Sequence, residues 1–139
     1  MTGGMALDIR TMMLALTLMI GAGAMTLALV QRSHRALRGV GTLAIGMGML
    51  ATGVLLITAR GGIPLWMSII VANALIQTAY VVNWRGIRRL IGAEPLSPVF
   101  FAIPFVAAAA IAYYWDDAAA LGLRMGFGQT SAGVLYLLQ

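Results

Sequence analysis

The sequence predicts an all-α, polytopic transmembrane bundle of about five spans, with its N-terminus outside and its C-terminus inside. Three observations predict it. Of the 139 residues, 61% are hydrophobic and only 9% are charged, with a mean hydropathy of +0.94, whereas soluble domains carry roughly a quarter of charged residues. The net charge of +5 comes from nine arginines and no lysine, and these lie in clusters between long uncharged runs. The uncharged runs have the length of a bilayer crossing, since about 20 residues at about 1.5 Å rise span a roughly 30 Å hydrocarbon core.

Residues 1–10 read as a lead-in; its first part, "MTGGMA", is flexible in composition, and translation could equally start at Met5. The first span is 11–30. A cleaved signal peptide is its rival, but the apolar run is too long for an h-region and its basic flank follows rather than precedes it. The second span is 40–59 and the third 65–84, both without a charged residue. Span four, 98–115, opens with Ser97 as a hydroxyl cap and Pro98 at the first helical position. Pro104 inside it predicts a kink, because proline removes a helix hydrogen bond and clashes with the preceding turn. A fifth span, 118–139, is capped by Asp117 but carries Arg124 two turns in. After Arg124 only 15 residues remain, about 22 Å of helix, so either Arg124 snorkels to the outer surface or the chain stops before its last helix is complete, and the ending "VLYLLQ" reads as a truncation.

Orientation follows from the arginines, because cytoplasmic loops collect them. Arg32, Arg35 and Arg38 follow span one, and Arg85, Arg88 and Arg89 follow span three, so alternation puts both loops on one side. The opposite side carries Arg10, Arg60 and Arg124 against Asp8, Asp116 and Asp117, a balance near zero. Trp66, Trp84 and the run Tyr113, Tyr114, Trp115 fall at span ends, the depth that aromatic side chains favour. The stretch "VVNWRGIRRLIG" (81–92) is therefore the cytoplasmic border of a membrane. A pI near 10.8 would otherwise suggest nucleic acid, but such a patch needs a soluble scaffold around it, so no nucleic-acid partner is expected.

Within the spans, Trp66, Asn73, Gln77, Tyr80 and Trp84 recur at spacings of seven, four, three and four, one stripe of a regular helix. Amides at this depth need partners. The stripe reads either as a pocket for a small apolar or amphipathic ligand or as interhelical hydrogen bonding. Ala44, Gly48 and Thr52 on span two, with Gly41, Gly46 and Gly53, and Gly21 with Thr17 on span one, predict a tight hairpin of spans one and two; a homodimer face is the alternative. Arg124 either pairs with Asp117 or Asp8 or snorkels to the surface. With no cysteine, a lone His34 and scattered carboxylates, neither a metal site nor a cofactor is expected, and His34 reads as a solvated loop residue. No Ser/His/Asp set or phosphate-binding glycine loop followed by lysine occurs, so the chain reads as a non-enzyme.

"LDIRTMMLALTLMIGAGAMTLAL" (7–29), "QRSHRALRGVGTLAIGMGMLATGVLLITARGGIPLWMSIIVANALIQ" (31–77) and "RGIRRLIGAEP" (85–95) resemble the N-terminal multi-helix membrane region of bacterial diguanylate cyclases, whose cytoplasmic C-terminus carries a GGDEF domain. The features that carry the resemblance are the "DIRT" start, "IPLW" before span three, Asn73 within it and the arginine run after it. The chain departs from that family in holding no GGDEF or GGEEF motif, so no catalytic residue is carried over. The resemblance implies a dimerising sensory input module in the bacterial inner membrane that controls how two cyclase domains meet to make cyclic di-GMP. A small transporter or channel subunit is the competing expectation, and a purely structural membrane anchor is a third.

Overall fold

The computed structural model describes residues 9–94 and 96–113. Among them the chain is helical, with no strand beyond an isolated bridge between Arg60 and Ile63. The first helix, α1, runs Ile9–Ser33, and α2 runs Val40–Thr58. The third, α3, spans Met67–Leu90: a π-helical turn, Met67–Val71, passes into regular α-helix, Ala72–Leu90. A 3₁₀ turn, Pro98–Phe101, then leads into α4, Ala102–Tyr113. Three of these helices, α1, α2 and α3, are long and apolar enough to cross a membrane, whereas the described part of the fourth, Pro98–Tyr113, is shorter. Asp8, Tyr114, Trp115, Asp117, Arg124 and the whole fifth span lie outside the described residues.

Apolar length explains where the helices lie, and polar chemistry at their ends explains where they stop. The hydroxyls of Thr17, Thr26, Thr52, Thr58 and Thr78 each donate to the carbonyl four residues back, at 2.7 to 2.9 Å, which satisfies them without a second helix. At its far end α3 closes in a Schellman motif: Ala93 N donates to Arg88 O at 2.8 Å and Gly92 N to Arg89 O at 3.4 Å, with Gly92 at φ 72. Arg85, Arg88 and Arg89 therefore stand on the last turns of α3 and not in a loop, and Arg32 likewise ends α1. Arginine is a good helix former, and in the last turn its charge offsets the negative end of the helix dipole.

The helices pack in chain order. Among the described helices α1 packs on α2 alone, α2 on α1 and α3, and α4 on α3 and the turns beside it. The first two helices pack on each other about as extensively as α2 and α3 do, but backbone meets backbone only between α2 and α3 among the described helices. Gly39, Gly46 and Gly53 recur every seven residues along α2 and its cap, and Ala72, Ala79 and Gly86 do so along α3. Because the helices run antiparallel, the two rows meet in opposite order. A Cβ on Gly39 would stand 2.5 Å from Gly86 O, one on Gly53 3.1 Å from Ala72 O, and one on Gly86 3.0 Å from Leu43 N. Gly46 opens a seat for the Asn83 side chain, whose Oδ1 occupies the space a Cβ would take. Small residues let the backbones meet, and the contact is one of close packing.

The small residues expected to pair spans one and two are placed differently. A Cβ on Gly21 or on Gly48 would meet no atom within 4 Å, and Thr52 is exposed. Ala44 is half-buried, and α1 has no fully buried residue. The α1–α2 contact is made by side chains, as where Met47 Cε lies 3.4 Å from the Cβ position of Gly23. Their turn is held by Gln31, whose Oε1 accepts from Gly41 N at 2.9 Å.

Pro104 also differs from expectation. It stands in the first turn of α4, where backbone N–H groups lack intrahelical acceptors anyway, and it is buried. The irregularity is the 3₁₀ turn just before it, so span four restarts at Ala102 rather than kinking in mid-helix.

Candidate functional site

The five residues of the polar stripe do not share one face. The π turn inserts one residue's worth of backbone between Trp66 and Asn73, which rotates everything before it by about 100° relative to a regular helix. Trp66 thus points away at 54% exposure, while Gln77 is buried at 4%. Asn73 serves the irregular turn itself: its Nδ2 donates to Ile69 O at 2.7 Å. Beside it Ser68, also buried, donates to Leu65 O at 3.0 Å. Tyr80 is at the exposed edge, and Trp84 packs edge-on against Phe100 with ring centroids 5.4 Å apart.

Trp84 belongs to a corner that anchors α4. Val81 and Leu96 are buried there, with Trp84, Phe100 and Phe101 packed against them. Arg85 lies over the Phe101 ring at 5.6 Å and Arg88 over the Trp84 ring at 5.7 Å. Arg88 Nε also donates to Glu94 O at 2.9 Å. Arg85 Nε is buried without a hydrogen-bond acceptor, so the ring face is its compensation. These arginines are thus structural clasps as well as charges, a role that the sequence pattern alone did not reveal.

The up-and-down path brings both arginine groups to one end of the bundle. Arg38 of the first turn and Arg89 of α3 line the same cleft, together with Gly39, Gly92 and Ala93. Arg89 Nη1 donates to Thr42 Oγ1 at 3.2 Å, tying α3 to the first turn of α2. Arg32, His34 and Arg35 are exposed nearby in the chain. At the opposite end a second cleft is lined by Ile9, Arg10, Met13, Ile57, Thr58, Arg60 and Gly61. A third, apolar groove runs along α1 from Ile9 to Met19. None of these three is lined by a residue of the polar stripe.

Asn83 was the functional-looking residue that sequence reasoning passed over. Its Oδ1 is buried against Gly46 with no hydrogen-bond partner, a feature of the tight α2–α3 contact. The available signal was its position, four residues after Ala79 and three before Gly86 on the small-residue face of α3. The arrangement gathers guanidinium groups, which have the chemistry to bind anions, at one end, and sets the buried amide of Gln77 and the half-buried ones of Asn73 and Asn83 along α3. Compared with protein-family models, curated proteins and solved structures, the chain matches none.

Proposed function

We propose that this chain is the membrane-embedded input module of a bacterial signalling protein, a multi-pass domain of the inner membrane that dimerises and controls a diguanylate cyclase output. The observation that carries the reading is the division of the bundle. The α2 and α3 helices are fastened backbone to backbone, and α4 is clasped to the end of α3, whereas α1, among the described helices, packs on α2 alone and through side chains. The apolar face that α1 leaves open, including Leu18 at 73% and Met19 at 74% exposure, suits a second copy or lipid. A unit that moves as a block against α1 is a means of passing a signal across the membrane. The "DIRT", "IPLW" and arginine-run resemblance supplies the cyclase output, and the excess of arginine at one end supplies that end's cytoplasmic placement.

The chain has no native cysteine, so single-cysteine crosslinking is direct. Oxidation of membranes carrying Met19→Cys should give a disulfide-linked dimer, while Val106→Cys, exposed on α4, should not. Equal crosslinking at both sites, or at neither, would remove the α1-mediated dimer. The transporter reading is favoured by one observation, the π turn set beside buried Ser68 and Gln77, since π turns often mark functional sites. It predicts solute or ion flux in liposomes holding only this chain, and the input reading predicts none. For the input reading, Asn73→Leu with Gln77→Leu should preserve insertion and abolish the signal-dependent change in cyclic di-GMP; a normally responding double variant would exclude these amides from signal detection.

A further inference from the structure

The cleft at the arginine end has a volume of about 480 Å³ and is built from two separate segments, Arg38 and Gly39 before α2 and Arg89, Gly92 and Ala93 at the end of α3. Both segments are shaped by left-handed glycines, Gly39 at φ 107 and Gly92 at φ 72. Among the described residues no carboxylate lines the cleft, although Glu94 follows Ala93 directly in the chain. The carbonyls of Arg88 and Arg89, which would repel an anion, are occupied by the Schellman hydrogen bonds from Ala93 N and Gly92 N. On the other side stands the start of α2, the positive end of its dipole. The Arg89 side chain is held by its bond to Thr42 Oγ1, which spends one of the five N–H donors of the guanidinium.

Around this charged cleft the chain exposes apolar side chains. Leu37 adjoins Arg38 in sequence, and Leu90 and Ile91 lie between Arg89 and Gly92; all three are exposed. Two guanidinium groups next to apolar surface suit an anion that carries hydrocarbon. We infer that the Arg38–Arg89 cleft binds the phosphate group of an anionic phospholipid, its acyl chains lying along Leu37, Leu90 and Ile91. The shared chemistry is an oxyanion of phosphorus held by charge-assisted hydrogen bonds, and a free phosphate is the alternative source. The inference rests on the arginine end lying at a bilayer surface, as the proposed function requires. It does not depend on the direction of insertion or on the output domain.

The test uses the full chain purified in a neutral detergent, with unfolding followed by tryptophan fluorescence as phosphatidylglycerol, phosphatidylcholine or inorganic phosphate is added. Phosphatidylglycerol should raise the melting temperature and phosphatidylcholine should not. Arg38→Gln with Arg89→Gln should weaken that binding about tenfold or more, the loss expected on removing charge-assisted bonds. Arg32→Gln with Arg35→Gln, which removes the same charge outside the cleft, should keep wild-type affinity. Arg38→Gln alone, which leaves the Arg89–Thr42 bond in place, should weaken binding without lowering the melting temperature of the lipid-free protein. Equal losses in the two double variants would mean diffuse charge attraction and overturn the site. Equal stabilisation by phosphatidylcholine would overturn headgroup recognition. Stabilisation by inorganic phosphate that phosphatidylglycerol does not reproduce would assign the cleft to a soluble anion and overturn the lipid. Since binding is read in detergent, its failure leaves the dimer and topology measurements to stand or fall separately.

Discussion

Gly46→Ala should destabilise the bundle, while Gly48→Ala, two residues away on the same helix, should leave it unchanged or slightly stabilise it. Alanine in place of glycine favours a helix by about 0.8–1.0 kcal/mol in water, and at Gly48 nothing opposes this because a Cβ there meets open space. At Gly46 the added methyl takes the place of the Asn83 side chain and stands 3.1 Å from its backbone N, so Asn83 must leave its seat and α3 must give by a few tenths of an ångström. Overpacking of this kind costs about 1–3 kcal/mol, which exceeds the propensity gain over most of that range. Gly46→Val, with two further methyl groups, should exceed the alanine variant. Unfolding of the purified chain by denaturing detergent, followed by tryptophan fluorescence, measures all three. If Gly46→Ala and Gly48→Ala behave alike, the small-residue rows do not fasten α2 to α3.

A larger effect is expected at Gly39. Two independent penalties act there: a φ of 107, which L side chains rarely adopt, and a Cβ position 2.5 Å from Gly86 O and 2.9 Å from Leu90 N. Both neighbours are backbone and cannot rotate aside. Strain of about 1–3 kcal/mol for the backbone adds to an overpacking cost of similar size, so Gly39→Ala should lose about 2–6 kcal/mol. For a small domain that is a large share of its stability, and the variant should accumulate poorly in membranes. Gly62→Ala is the matched control, since its glycine lies in the turn after α2, has no left-handed φ, and meets nothing closer than Ala59 O at 3.7 Å. Normal accumulation and unfolding of Gly39→Ala would show that the α2 start and the α3 end are not in contact.

How much of this was legible in the sequence differs between elements. Hydropathy located α1, α2 and α3, because a run of about 20 uncharged, mostly apolar residues has the length of one bilayer crossing and exceeds what a soluble core helix needs. It did not show that α3 continues through Arg85, Arg88 and Arg89 to Leu90, since a hydropathy boundary marks the edge of the apolar run and not the end of the helix. The stop was present as Gly92, the residue a left-handed cap requires. The helix-packing face was partly legible. On α2 two small-residue rows coexist, Ala44, Gly48, Thr52 and Gly39, Gly46, Gly53, and only the matching row Ala72, Ala79, Gly86 on α3 selects the second. One helix taken alone could not choose between them. The stripe Trp66, Asn73, Gln77, Tyr80, Trp84 assumed an unbroken α-helix, and the π turn at Met67–Val71 separates its first member from the rest. No residue type in "MSIIV" signals such a turn; the Asn73 amide that serves it looked like a ligand group instead.

The proposed function requires a bundle that crosses the membrane with its arginine end inside. Single cysteines at Ser33 and Gly62, both exposed, mark the two ends of the described bundle. In intact cells a membrane-impermeant maleimide should label Gly62→Cys directly and Ser33→Cys only after the membrane is opened. Labelling of both positions from outside, or of Ser33→Cys alone, would contradict the proposed topology and with it the cytoplasmic coupling to an output domain.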